Sequence, residues 1–296
     1  MKNRKYSKIV TLLILLFMLI GMLPISVHAE EDTHTHDDVT FVAWESDNSL
    51  PGESGSYYLT SDVTLKSTWQ VSTYIELCLN GHNITLDADS GSVIEATDGS
   101  LRIYDCESTP GKISGGKNNG VVVTGGTFSL YNGEISGNEG AGLYLNGKEK
   151  TLWINIYGGA IKNNTNTGNG GGIFIQNSLL LIMGGEISGN TAVNGGGIYI
   201  GEKSTVAMNE GSITNNEAKS SGGGVCIEEG VGFYQGGGSI TNNSALQGGG
   251  VYLEDGDYGI GNKVIVDKNS GGNVYLCKDK VITISTQLAS GTRVGV

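Results

Sequence analysis

Gly184-Gly185-Glu186-Ile187-Ser188-Gly189-Asn190 is followed, after Thr191-Ala192-Val193-Asn194, by Gly195-Gly196-Gly197-Ile198-Tyr199-Ile200. The same phrase recurs along the chain. Its isoleucine returns as Ile113, Ile135, Ile161, Ile187, Ile213 and Ile240, at steps of 22, 26, 26, 26 and 27 residues. Three positions after each of the last five stands Asn138, Asn164, Asn190, Asn216 or Asn243. A fixed period of this length means stacked structural units.

Within one period lie three short apolar patterns. Around Ile198 they are Ile198-Tyr199-Ile200, then Thr205 to Met208, then a short run centred on Ile213. Strand side chains alternate faces, so the paired aliphatics point one way and the residue between them the other. One unit cannot bury its apolar side alone, but a stack can, each strand pairing with its equivalent one unit later. This predicts an all-β fold: a single-stranded, right-handed parallel β-helix (solenoid) with about 26 residues and three short strands per coil. A helical repeat of similar period is excluded, because glycine triplets and β-branched runs leave no helix of useful length. Seven regular coils and one or two irregular ones, at ~4.8 Å per rung, predict a rod on the order of 40 Å long.

The organisation outside the repeats follows from composition. Lys2, Arg4, Lys5 and Lys8 precede the apolar run Ile9 to Leu23, and Val27-His28-Ala29 offers a small-residue cleavage site. Residues 1–29 therefore read as a signal peptide, and the mature chain as secreted or extracellular, with association at the cell surface as an option. No second apolar stretch would span a bilayer. Residues 30–39 read as a flexible polar leader, residues 40–60 as an N-terminal cap carrying Phe41, Trp44, Leu50, Tyr57 and Tyr58, and residues 61–296 as the repeats. Cleavage removes four positive charges and no negative ones, moving the formal charge from −12 to −16. Such a surface repels nucleic acid and anionic lipid, and disfavours a polyanionic substrate unless calcium bridges the like charges.

Stacking turns each repeat position into a row. The glycine triplets 170–172, 195–197, 222–224 and 248–250 mark one corner, where the backbone packs closely or takes positive φ. The asparagines mark another, as residues that tolerate the left-handed conformation and whose amides join in a ladder. The third row, between the paired aliphatics, reads Val122, Tyr144, Phe174, Tyr199, Cys226, Tyr252 and Tyr275. Its aromatics are the candidate glycan-binding residues, since sugar rings bind flat aromatic faces through their C–H surfaces. The competing reading is that in-register aromatics only stabilise the sheet, by about 0.2–1 kcal/mol each.

Reactive groups are few. Cys78 and Cys106 lie 28 residues apart, close to one repeat. Neighbouring rungs bring their Cα atoms to roughly 5 Å, and this makes them a candidate disulfide, the alternative being two small buried hydrophobes. Cys226 and Cys277 fall about two rungs apart, too far for a bond. His34 and His36 have metal-ligand spacing but no companion cluster in sequence, and read as linker residues. Glu254, Asp255 and Asp257 read as a solvated turn. No cofactor or metal is therefore expected, and no catalytic residue is assigned. Glu134 and Glu186 share one repeat position two coils apart, with Ala160 between, a spacing that only just fits an inverting carboxylate pair. Apart from Arg293 at the end of the chain, Arg102 is the only arginine within the coils available as a lyase base.

Leu77-Cys78-Leu79-Asn80-Gly81-His82-Asn83-Ile84, preceded by Tyr57-Tyr58-Leu59-Thr60-Ser61-Asp62-Val63-Thr64-Leu65, resembles the opening of a family of exported right-handed parallel β-helix repeat proteins of Gram-positive gut bacteria. The resemblance covers about residues 40–290. It implies a pectin-lyase-like fold and a place at the cell surface, with no catalytic residue carried over. Larger family members bear C-terminal anchoring or additional modules. The chain stops at Gly295-Val296 with neither a sorting signal nor a cap, so it is expected to be a monomer or a piece of a longer chain. The functional expectation is a structural or binding module, glycan-binding or adhesin-like, with polysaccharide or a host or cell-wall glycan as partner. The alternative is a polysaccharide lyase or glycoside hydrolase.

Overall fold

A computed structural model describes residues 34–148 and 150–295. The signal-peptide reading of residues 1–29 lies outside the described residues, as does the start of the leader. The described chain is a right-handed parallel β-solenoid of about 9 turns. Each turn contributes one strand to each of three sheets of 11, 10 and 9 strands. The first sheet runs from Val42–Trp44 to Ile282–Leu288, the second from Val63–Leu65 to Arg293–Val294, and the third from Trp69–Val71 to Val274–Leu276. Every pairing within these sheets is between a strand and its equivalent one coil away.

The isoleucine column is continuous. In the second sheet Ile113 pairs with Ile135, Ile135 with Ile161, Ile161 with Ile187, Ile187 with Ile213, and Ile213 with Ile240. The column extends back to Ile84 and forward to Val266. All of these side chains are buried in one core that runs the length of the rod. Alternation explains the burial: Val121, Leu143, Ile173, Ile198, Val225 and Val251 point inward from the third sheet, and the residue after each points out.

The asparagine corner is a complete ladder. Asn138, Asn164, Asn190, Asn216 and Asn243 are buried, and each Nδ2 donates to the Oδ1 of the next at 2.9–3.1 Å, ending on Asn269. Each also donates to the carbonyl of an isoleucine on the coil before. The expected conformational reason is corrected. The left-handed residue is the one before each ladder position: Gly137, Asn163, Gly189, Asn215, Asn242 and Lys268. The ladder asparagines are chosen for their amides, because only a side chain with two donors and two acceptor sites saturates this buried corner. An additional side forms at this corner, where Thr191–Asn194 pairs in parallel with Glu217–Ser221.

At the N-terminal end, Leu50 joins the core and Trp44 and Tyr57 pack against it. The indole N–H of Trp69 donates to the Pro51 carbonyl at 3.0 Å. Thr35–His36 pairs with Val39–Thr40 antiparallel, across a turn in which Asp37 and Asp38 both have positive φ. This is the turn that matches strand twist in a tight hairpin. His34 and His36 are therefore held against the coils: His34 stacks on Tyr58 and His36 on Tyr104.

Candidate functional site

The third-sheet row is in register as its spacing requires. Val122 pairs with Tyr144, Tyr144 with Phe174, Phe174 with Tyr199, Tyr199 with Cys226, Cys226 with Tyr252 and Tyr252 with Tyr275. The rings are also parallel to one another. Tyr144 and Phe174 are 4.9 Å apart at 4°, Phe174 and Tyr199 5.4 Å at 13°, and Tyr252 and Tyr275 5.4 Å at 12°. Rings stacked at the rung spacing turn their faces along the rod and only their edges to solvent. Along most of the row, then, a ligand approaching from outside meets edges and hydroxyls, while the faces are used by neighbours.

The row breaks once, at Cys226. The small side chain leaves Tyr199 and Tyr252 facing each other across two rungs, roughly 10 Å. The notch between them is a cleft of about 200 Å³, rimmed by Asn194, Ser221, Glu228 and Glu254. Tyr199 is 7% exposed, so that wall is closed in, whereas Tyr252 is only half-buried and its far face rests on Tyr275. The Cys277 thiol donates to the Tyr252 hydroxyl at 3.3 Å and helps fix the ring. Ile227 pairs with Leu253, so Glu228 and Glu254 follow on adjacent rungs. Burial and the neighbouring Glu254 raise the Glu228 carboxyl above its ordinary value. Burial likewise pushes the Cys226 thiol up to about 12, which leaves it protonated and poorly nucleophilic.

The other sequence candidates are committed elsewhere. Glu134, at an outward position of its strand beside the inward Ile135, is nonetheless 3% exposed, and its carboxylate meets Lys162 Nζ at 2.7 Å and Lys112 Nζ at 3.9 Å. Glu186, two coils on through Ala160, is exposed. Arg102 is paired with Glu76 at 3.0 Å and lies over the Tyr74 ring. Asp255 forms an ion pair with Lys280, and Glu254, Asp255 and Asp257 do not converge on a common point among the described residues. Cys78 and Cys106 are brought together, but as free thiols with sulfurs 3.8 Å apart; Cys226 and Cys277 are free as well.

The first sheet carries a second aromatic row, outside the repeat phrase. Tyr104 ends one first-sheet strand, Tyr131 and Tyr157 directly follow the next two, and the rings stack at 4.4 and 4.7 Å. Their 27- and 26-residue steps carry the repeat period and would have found them. On the same sheet Trp153 is 64% exposed, the most open aromatic of the described coils. Another cleft, of about 440 Å³, lies at a different turn, bounded by Thr97, Gly125 and Gly147, with Lys148, Lys150 and a single carboxylate, Asp98, and no aromatic ring.

In comparisons with known protein families, curated proteins and solved structures, no match to this chain is found.

Proposed function

We propose that this chain is an exported β-solenoid that binds polysaccharide at the cell surface, and that the notch at Cys226 is its contact point. The observation that carries this reading is the single break in the third-sheet row, where a tyrosine face opens beside carboxylate, amide and hydroxyl groups. A sugar ring laid on Tyr252 places its C–H face on the aromatic ring and its hydroxyls toward Glu228, Glu254, Asn194 and Ser221. Two carboxylates at the rim favour a neutral or amino sugar over a uronate. Export rests on the basic head and apolar run of residues 2–23, and the pectin-lyase-like, Gram-positive setting on the Leu77–Ile84 motif.

The test is a glycan array probed with the chain from residue 30, followed by calorimetry on the best ligand. Tyr252→Ala is expected to abolish binding, and Trp153→Ala on the first sheet to leave it intact. The reverse pattern moves the contact to the other sheet and removes the notch from the account. Absence of any glycan ligand removes the binding reading itself.

One observation favours a second reading, a glycoside hydrolase. Glu228 and Glu254 stand one rung apart, with their backbones ~4.8 Å from each other along the rod, near the spacing of a retaining pair, and the raised Glu228 suits a general acid. Reducing-end release from a polysaccharide panel decides it. Hydrolysis that persists in both Glu228→Gln and Glu254→Gln excludes this pair.

A further inference from the structure

Four ligand-type side chains from distant parts of the chain meet at the N-terminal end of the first sheet. Tyr58, Cys78 and Tyr104 are consecutive in one row, since Tyr58 pairs with Cys78 and Cys78 with Tyr104. The hairpin closed by Asp37 and Asp38 lays its two imidazoles on the two rings that flank Cys78. His34 stacks on Tyr58 at 4.4 Å and His36 on Tyr104 at 5.0 Å, with buried Phe41 edge-on to both histidines. The imidazoles therefore converge over the Cys78 sulfur. Cys106, two residues beyond Tyr104, closes the group from the side.

The distances are those of a coordination shell. Cys78 Sγ and Cys106 Sγ are 3.8 Å apart, Cys106 Sγ and His34 Nε2 3.9 Å, and His34 Nε2 and His36 Nε2 2.9 Å. All four ligand atoms lie within 4.8 Å of one another. A tetrahedral zinc ion with two thiolates and two imidazoles requires edges of about 3.8 Å (S to S), about 3.6 Å (S to N) and about 3.3 Å (N to N), given its bond lengths. Shifts on the order of 1 Å or less bring the group onto that shape.

We propose that His34, His36, Cys78 and Cys106 form a structural zinc site that staples the N-terminal hairpin to the first coils. Two sulfurs and two imidazole nitrogens in a tetrahedral arrangement select zinc over the harder cations. Binding displaces the two thiol protons to solvent, and Zn²⁺ with two thiolates and two neutral imidazoles carries no net charge, which suits a half-buried position. With all four positions filled by protein, the ion holds structure and leaves no open site for substrate. The site is independent of the notch and of the proposed ligand.

The chain from residue 30, recovered from the culture medium, is the material for the test. One equivalent of zinc is expected by mass spectrometry of the metal. Cobalt exchanged for it is expected to show thiolate charge transfer and the strong visible bands of tetrahedral coordination. Because Cys106 is exposed, Cys106→Ser should fold normally. It and His36→Asn should each weaken zinc binding by more than about a hundredfold, beyond what loss of an outer partner causes, while His82→Asn does not. Zinc should also slow hydrogen exchange across residues 34–41. Failure of the reduced chain to take up either metal overturns the site, and so does uptake that survives both Cys106→Ser and His36→Asn. A Cys78–Cys106 disulfide in the secreted chain overturns it as well, because bonded sulfurs have no thiolate to offer.

Discussion

Asn190 is joined twice to Asn216, one coil further on: its Nδ2 donates to Asn216 Oδ1 at 2.9 Å, and its backbone N–H donates to the same oxygen at 3.0 Å. The Asn190 side chain also donates to the Ile161 carbonyl and accepts from both the backbone N–H and the Nδ2 of Asn164. All its hydrogen-bonding capacity is used, in a residue with no solvent exposure. Asn190→Ala strips partners from four groups that water does not reach. At about 1–3 kcal/mol for each buried group left unpaired, with partial relaxation, a loss of about 4 kcal/mol is expected. Urea unfolding checks it, with Asn269→Ala at the half-buried end of the ladder costing less. A cost below about 1 kcal/mol for Asn190→Ala would contradict the ladder as a source of stability.

The glycine triplets answer to that ladder. A Cβ on Gly197 would lie 2.6 Å from the Gly224 carbonyl oxygen, 2.9 Å from Ile213 Cγ2 and 3.1 Å from Asn216 Nδ2. The third glycine of each triplet thus makes room for the backbone of the next coil and for the asparagine beneath. Gly197→Ala is expected to destabilise by several kcal/mol. Gly137→Ala meets nothing within 4 Å but has a φ of +67°, and should cost only about 1–2 kcal/mol. Gly52→Ala, with open space and an ordinary φ, should be neutral. Thermal unfolding of the three variants should rank them in that order.

Glu76 is 2% exposed and accepts from the Ser56 hydroxyl at 2.6 Å, the Tyr74 hydroxyl at 2.6 Å and Arg102 at 3.0 Å. Burial opposes its charge, but these donors together hold its carboxyl below the ordinary value. Arg102→Ala leaves the carboxylate with hydroxyl donors alone. The expected loss is about 2 kcal/mol, less than the 3–5 kcal/mol of a fully buried pair, because Arg102 itself is partly exposed. Glu76→Gln combined with Arg102→Ala should recover part of that loss, which a double-mutant cycle measures. An additive result would mean that the pair is not coupled.

The fold was legible because one period sets every row. Ile135 and Ile161 can only stack if 26 residues make one circuit, and the in-register aromatics follow from the same count. What the period does not carry is orientation or tertiary return. It puts Tyr144 beside Phe174, but not their rings parallel, and that parallel stacking withdraws the faces a glycan would use. It puts Glu134 at an outward position, but Lys112 and Lys162 from the coils on either side close over it. His34 lies 72 residues from Cys106, and only the turn at Asp37-Asp38 brings the two together. The notch was visible as Cys226 in an aromatic row; that its rim holds Glu228 and Glu254 required the register of the coil.

Glu228 predicts a pH dependence of definite sign. Burial, with Glu254 beside it, raises its folded value above the unfolded one. Such a group contributes its stability below the unfolded value, and loses it as pH rises through the folded value. At neutral pH the ionised side chain therefore destabilises the fold, so Glu228→Gln should raise the unfolding midpoint there. The gain should vanish as pH falls below the ordinary carboxylate range. A Glu228→Gln variant that is less stable at neutral pH would show that the carboxylate is favourably paired.

Filling the notch separates stability from binding. Cys226 sits in register between Tyr199 and Tyr252, and the rings elsewhere in this row stack on their neighbours at 4.9–5.4 Å. In Cys226→Tyr the new ring lies in a cleft of about 200 Å³ and stacks on both tyrosines, completing the row. Two added aromatic contacts, each about 0.5–1.5 kcal/mol, should at least offset the loss of the buried thiol, so thermal stability should hold or rise. Glycan binding should disappear, because the ring occupies the place of the sugar and covers the Tyr252 face. Cys226→Ala keeps the notch open and should bind as the native chain does. A stable Cys226→Tyr protein that still binds glycan places the ligand elsewhere on the rod, and an unstable one shows that the walls are too constrained to admit any ring, sugar or aromatic.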